Sequence, residues 1–330
     1  MQLTQINARF FVLLDIAKTD DDLMAVRMKL NDTNIGGLAP QFRSILAYVD
    51  GGPGTEEVIK KAAQIGGAYS AHVEVLHIKK SIDTNLPAMD VGGSLVAVAE
   101  IFEIMNQEIE KNADSAKAAF DTYCKASHIE PLAPDSPETV SSHGLSLSWN
   151  LMAGNDNRDL ATRGRLFDLI VIAKAGDQVG GVDSVQLEAA LFDTGRPVFV
   201  TSDNNGGMDP RTIAIAWDGS REASHSIALA LPLLCSANKV CIMSVGLCEP
   251  GLGVEDLGRY LARHEIQSEQ YVLAISDKSV ADALADASLD NHACLLVMGA
   301  YGHSAIGESL FGGVTRDLLE GGKIPLLLAH

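Results

Sequence analysis

The sequence predicts an α/β protein built from two tandem, doubly wound parallel-sheet domains. Length, an internal repeat and the character of the apolar runs carry that prediction. At 330 residues the chain exceeds what one core usually supports and fits a unit of about 150 residues used twice. Arg43-Ser-Ile-Leu-Ala-Tyr-Val-Asp50-Gly51 is echoed by Arg211-Thr-Ile-Ala-Ile-Ala-Trp-Asp218-Gly219, each with its Arg and Asp seven residues apart. The runs are short, continuously apolar and alternate with helical stretches. Only strands buried on both faces dispense with polar alternation, so the sheet is expected to be parallel and covered on both sides.

The elements follow in order. The first 40 residues stand outside the repeat and are an N-terminal extension of unassigned role. Each repeat opens with a buried strand ending on an acidic turn at Asp50 or Asp218. A helical stretch of about 16 residues and a second strand follow, Val73–Ile78 in one copy and Val240–Val245 in the other. Later, Asp168-Leu-Ile-Val-Ile-Ala-Lys-Ala-Gly176 matches Cys294-Leu-Leu-Val-Met-Gly-Ala-Tyr-Gly302, and each copy closes with a helix and a strand initiated by Pro197 or Pro325. The expected domains are 41–203 and 211–330, joined by a turn-rich linker at 204–210. The apolar closing strands, Val198–Thr201 and Leu326–Ala329, are expected to pair with each other and make the chain an internal pseudo-dimer.

The copies differ in the middle. Asp50 to Ala173 spans 123 residues against 81 for Asp218 to Gly299, and much of the excess is a helical insertion at about 79–127. Within it, Ser94 to Ser127 carries apolar residues in a 3,4 alternation interrupted at Asn112. Two readings stand: a partner-binding or dimer helix, or a helix that breaks near Asn112–Asp114 and covers its own sheet.

Charge narrows the function classes. The formal net charge of −18 disfavours nucleic acid and anionic membrane surfaces as partners. No apolar run approaches a spanning length. The five cysteines form no C-x-x-C pair, which suits a reducing cytoplasm, and no His/Cys spacing suggests a metal site.

In an open parallel sheet, ligands sit at the carboxyl ends of the strands near the switch in strand order. Asp218, Gly299 and Gly302 are expected at that edge. The run from Gly299 to Thr315 places two glycine turns ten residues apart, the second opening the last helix. Glycine permits close backbone approach and a helix N-terminus offers unpaired N–H groups, so the run is a candidate anion cradle.

The pattern G-x-x-G, nine residues, then G-[ST] after a buried strand resembles the nucleotide-binding motif of the universal stress protein family. The repeat resembles its tandem two-domain members, over residues 42 to 330. The resemblance implies a Rossmann-like, HUP-type fold and a cytoplasmic stress-response protein that binds ATP or another adenine nucleotide, with Mg2+, in the C-terminal domain. It implies regulation rather than catalysis. Ala216, Trp217 and Asp218 would hold the nucleotide after the first strand, Val245 the adenine side of the second, and Met298 and Gly299 the end of the fourth. Gly302, His303, Ser304, Gly312, Gly313, Val314 and Thr315 would form the phosphate and ribose side. Gly313 stands where the family has Ser or Thr, which removes a hydroxyl but keeps the amide. In the first copy Ala173 replaces the leading glycine and the following loop is shorter and acidic, so that site is degenerate.

Other signals have plainer readings. Gly302-His-Ser304-Ala-Ile-Gly307 misses the nucleophile-elbow spacing by one residue. Gly321-Gly-Lys323 is no P-loop because Ile324 and Pro325 follow. Gly251-Leu-Gly253 is a turn, His77 a core histidine, and Asp218 either a ligand or a turn cap. A slow ATPase at the same site, and a nucleotide-free scaffold acting through the 94–127 helix, remain alternatives, as does a homodimer or a partner protein.

Overall fold

The computed structural model describes residues 41–81, 95–133, 144–174, 184–202, 209–246, 252–274, 278–300 and 313–330. The 1–40 extension, Cys248 and residues 301–312 lie outside them. Both copies of the repeat fall within one unit, Gln41–His330. The first contributes β1 (Ser44–Tyr48), α1 (Thr55–Tyr69), β2 (His72–Lys80), α2 (Leu95–Ser127), β3 (Ser146–Gly154), α3 (Asp156–Gly164), β4 (Leu169–Ile172), α4 (Ser184–Asp193) and β5 (Val198–Val200). The second contributes β6 (Asp209–Ala216), α5 (Arg221–Ser236), β7 (Lys239–Val245), α6 (Val254–Ala262), β8 (Ser268–Leu273), α7 (Val280–Asp290), β9 (Ala293–Gly299), α8 (Gly313–Gly321) and β10 (Leu326–Ala329).

These strands form one ten-stranded sheet in the order β3-β2-β1-β4-β5-β10-β9-β6-β7-β8. Within each half the order is the same doubly wound pattern and every neighbour is parallel. The halves join where β5 meets β10 antiparallel, with Phe199 opposite Leu327. This is the expected internal pseudo-dimer. The join is dry: Val198, Phe199, Val200 and Leu326 to Leu328 are all buried, each large side chain contributing about 1.5–3 kcal/mol by leaving water. Helices clasp it, since the Tyr69 hydroxyl at the end of α1 donates to the Pro232 carbonyl in α5 at 2.7 Å.

The central strands are as apolar as the sequence indicates: Ile45, Leu46, Ala47, Leu169 to Ile172, Ala214 and Ile215 are fully enclosed. The edge strands are different. β8 (SEQYVL) has no buried residue, only exposed and half-buried ones. β3 holds its place with polar pairs: His72 bridges the Ser146 and Ser148 hydroxyls at 2.9 Å, and Asn150 donates to Glu74, which also receives a two-pronged bond from Arg163 of α3.

Three boundaries depart from expectation. β2 runs on to Lys80, so the insertion begins later than residue 79. β6 takes in Asp209 and Pro210 from the expected linker, through a register shift between Asp209 and Ile213. The expected break at Asn112–Asp114 does not occur: α2 is unbroken over 33 residues, about 50 Å. An interior Asn costs only a fraction of a kcal/mol in helix propensity, and here the turn around it is clamped against the sheet. Ala113, Ala116, Phe120 and Cys124 are buried, and the Ser115 hydroxyl donates to the Gly51 carbonyl at 3.1 Å.

Candidate functional site

In the second half, the switch in strand order falls between β6 and β9, and a cavity of about 200 Å³ opens there at the carboxyl ends of the strands. Ala216, Trp217 and Asp218 line it from the end of β6, Met243 and Val245 from β7, Met298 and Gly299 from β9, and Gly313, Val314 and Thr315 from the first turn of α8. Ala223 of α5 and Val280 and Leu284 of α7 complete the wall. Its character is apolar with a polar rim, the usual division of labour in small-molecule sites.

Each position has a local cause. The Trp217 backbone N–H bonds the Met243 carbonyl and so continues the ladder past β6, while its indole Nε1 donates to the Leu252 carbonyl, both at 2.8 Å. The chain then turns at Gly219, whose φ of +80° suits glycine. Asp218 Oδ1 accepts from the Ser220 N–H at 2.9 Å, and Ser220 Oγ accepts from Ala223 N–H at 3.1 Å, capping α5. Asp218 is thus a turn cap, and it also lines the cavity; it is exposed, and its other oxygen has no protein partner among the described residues. Gly299 is required by packing: a Cβ there would lie 2.5 Å from the Glu222 carbonyl carbon and 2.9 Å from Ala223 Cα, inside α5 backbone. Gly313 is exposed, and among the described residues nothing lies within 4 Å of its Cβ position, so no described side chain covers the amides of the first turn of α8.

No Lys or Arg lines the cavity among the described residues. Arg316 is paired with Glu320 at 2.6 Å, and Lys323 reaches Asp282 and Asp286 at 3.3 and 3.4 Å. Among the described residues there is also no group of three His, Cys, Asp or Glu placed to hold a metal ion.

The structure therefore brings together nine of the thirteen sequence-derived site residues. The other four, Gly302, His303, Ser304 and Gly312, lie outside the described residues. Sequence reasoning missed Ala223, Met243, Val280 and Leu284. Met243 was within reach, being two residues before Val245 and so on the same face of β7.

Residues 215–330 match the model of the universal stress protein family. The C-terminal part carries a universal stress protein domain. Among solved structures, a universal stress protein from Archaeoglobus fulgidus aligns at a TM-score of 0.56 and 13% identity, covering 87% of this chain and 95% of its own. A putative universal stress protein from Pseudomonas aeruginosa gives 0.51 and 16%, covering 87% and 93%. A functionally unknown protein, also from Pseudomonas aeruginosa, gives 0.50 and 15%, covering 87% and 92%. These alignments take in both halves of the chain and establish the shared fold. No curated protein matches the chain by sequence.

The first half offers an internal control on the cavity of the second. Ile45 pairs with Val73 and Leu169 as Ile213 pairs with Val240 and Leu295, which fixes the correspondence. Tyr48, fully buried, then stands at the position of Ala216, and Ala173 at that of Gly299. Ala173 is tolerated because Gly54 faces it: a Cβ on Gly54 would lie 2.6 Å from Ala173 Cβ. Gly51 repeats the turn of Gly219 at φ +86°, but α2 lies against it, and a Cβ there would meet the Asn112 carbonyl group. Asp50 keeps the turn bond, Gly52 N–H to Oδ1 at 2.8 Å, while its Oδ2 is enclosed without a partner among the described residues. Burial pushes the Asp50 carboxyl above the usual carboxylate range, against the opposing pull of Gly52 and of His77. His77 is itself buried, with Nδ1 donating to the Val49 carbonyl at 2.8 Å, as a core histidine does.

Proposed function

We propose that the chain is a stress-response protein that binds one adenine nucleotide, in the cavity between β6 and β9, and that occupancy regulates rather than catalyses. The cavity carries this reading: apolar walls from Met243, Val245, Met298 and Leu284 suit a purine, and the N-terminus of α8, which no described side chain covers, suits phosphate. Asp218 is the only titratable side chain on the wall among the described residues, and one of its oxygens is held by the Ser220 N–H, so the described wall offers nothing beyond one exposed carboxylate oxygen, a weak base, to activate water. With no described Lys or Arg on the wall and a chain of net charge −18, a triphosphate would enter together with Mg2+, which offsets phosphate charge. Tyr48, Ala173 and α2 over Gly51 support a stoichiometry of one, with the first half empty. The free thiols Cys124, Cys235 and Cys241 suit a reducing, cytoplasmic setting.

Calorimetric titration of the purified protein with ATP, ADP, AMP and adenosine, with and without magnesium, tests the proposal. The expected result is one site per chain and ATP affinity that rises with magnesium. Two sites, or none, would overturn it, and phosphate release under saturating ATP would replace regulation by slow hydrolysis.

A further inference from the structure

The helix α2 has two apolar faces, and the sheet uses one. Ala113, Ala116, Phe120 and Cys124 bury the first, and Phe102 and Ile109 continue it as half-buried residues toward the N-terminal end. Ile101, Ile104 and Met105 lie on a different side, at i, i+3 and i+4, and are 57%, 63% and 44% exposed. Three large apolar side chains side by side on a rod whose far half is anchored in the core form a rigid patch that no described residue covers. Its charge setting is one-sided. Between residues 95 and 110 there are four glutamates and no Lys or Arg; Glu100 flanks the patch and Glu108 lies in line with it one turn on. Lys111 is the first cation along the helix, and Lys79 of β2 already pairs with Glu110.

We infer that this face of α2 docks a basic amphipathic helix of another protein, whose apolar residues cover Ile101, Ile104 and Met105 and whose Lys or Arg residues pair with Glu100 and Glu108. Charge selects this occupant. A second copy of α2 laid antiparallel about Ile104 would set Glu100 of each copy against Glu108 of the other, acid against acid at both ends of the patch and within a Debye length. An anionic membrane is repelled for the same reason. The surface is independent of the nucleotide cavity, which lies in the other half of the sheet.

The test is fluorescence anisotropy of a labelled 18-residue helix of Leu and Lys, amphipathic by design, added to the full-length protein, with its Leu/Glu counterpart as control. The expected result is saturable binding of the Leu/Lys peptide only, weakened tenfold or more by Ile101→Ala/Ile104→Ala and by Glu100→Lys/Glu108→Lys, with unchanged nucleotide titrations. The charge-reversed variant is expected to gain binding of the Leu/Glu peptide. No binding, or binding unaffected by either double variant, overturns the inference, the second because the peptide then adheres elsewhere on an acidic protein. Sedimentation showing a dimer that Ile101→Ala/Ile104→Ala returns to monomer would assign the face to a second copy and overturn it as well.

Discussion

A single methyl group separates the two ends of the repeat, and its cost depends on what faces it. Ala173 fits because Gly54 gives way, whereas a Cβ on Gly299 meets the backbone of α5, which cannot yield by rotating a side chain. Gly299→Ala is therefore expected to lower stability by about 1–3 kcal/mol through overpacking and to weaken nucleotide binding, measured by urea unfolding and titration. Gly313 is the opposite case. Among the described residues nothing lies within 4 Å of its Cβ position, so Gly313→Ser adds a hydroxyl without a clash against any of them. It should tighten ATP by about 0.5–1.5 kcal/mol and leave adenosine unchanged; equal effects on both would place residue 313 away from the phosphates. Asp50 gives a pH signature. Its folded carboxyl holds a proton more tightly than the unfolded chain, so the folded state is favoured at low pH and gives that advantage up as pH rises from the unfolded value through the folded one. Asp50→Asn should remove this component, so that its stability relative to the parent increases from pH 4 to pH 7 in urea melts. A constant difference would show that Asp50 does not titrate with folding.

Among the elements, α2 behaves as two helices in one. Phe120, 1% exposed and 5.5 Å from the Trp149 ring, belongs to the core, and Phe120→Ala should cost about 3–5 kcal/mol. Ile104→Ala, on the free face, should change stability by no more than about 0.5 kcal/mol. Comparable losses at both positions would mean that the outer face is packed in solution. The same contrast explains what the sequence made legible. Strands enclosed on both faces announce themselves as apolar runs, and all of them were found. β3 and β8 were not, because an edge strand held by His72–serine and Asn150–Glu74 bonds, or half open to water, looks polar. The site divides likewise. Strand ends and glycines carry a local signal, whereas Val280 and Leu284 enter the cavity from α7, whose Ala- and Asp-rich sequence shows only that it is a helix. The failed break at Asn112 has a tertiary cause, the clamp of α2 on the Gly51 turn, which no local pattern encodes.

At the scale of the whole molecule, the join between β5 and β10 turns two sheets into one. Its unpaired state would be a flat apolar edge, the kind that recruits another chain. A shortened protein beginning at Asp209 would expose β10 and should self-associate about Leu327, forming dimers by analytical ultracentrifugation where the full chain shows none through that edge. A shortened protein that stays monomeric would show that β10 does not need a partner. The join also bears on how the two halves came to differ. In a dimer of identical chains every substitution appears twice, on both sides of the axis, so filling one cleft fills the other. Covalent fusion removes that bookkeeping: one copy could accept Tyr48, Ala173 and a 33-residue helix across its turn while the other kept Ala216 and Gly299. Because the antiparallel pairing of three residues in each strand joins two copies within one chain, a change in either cleft is not repeated in the other, and the surface of each half is free to diverge by itself.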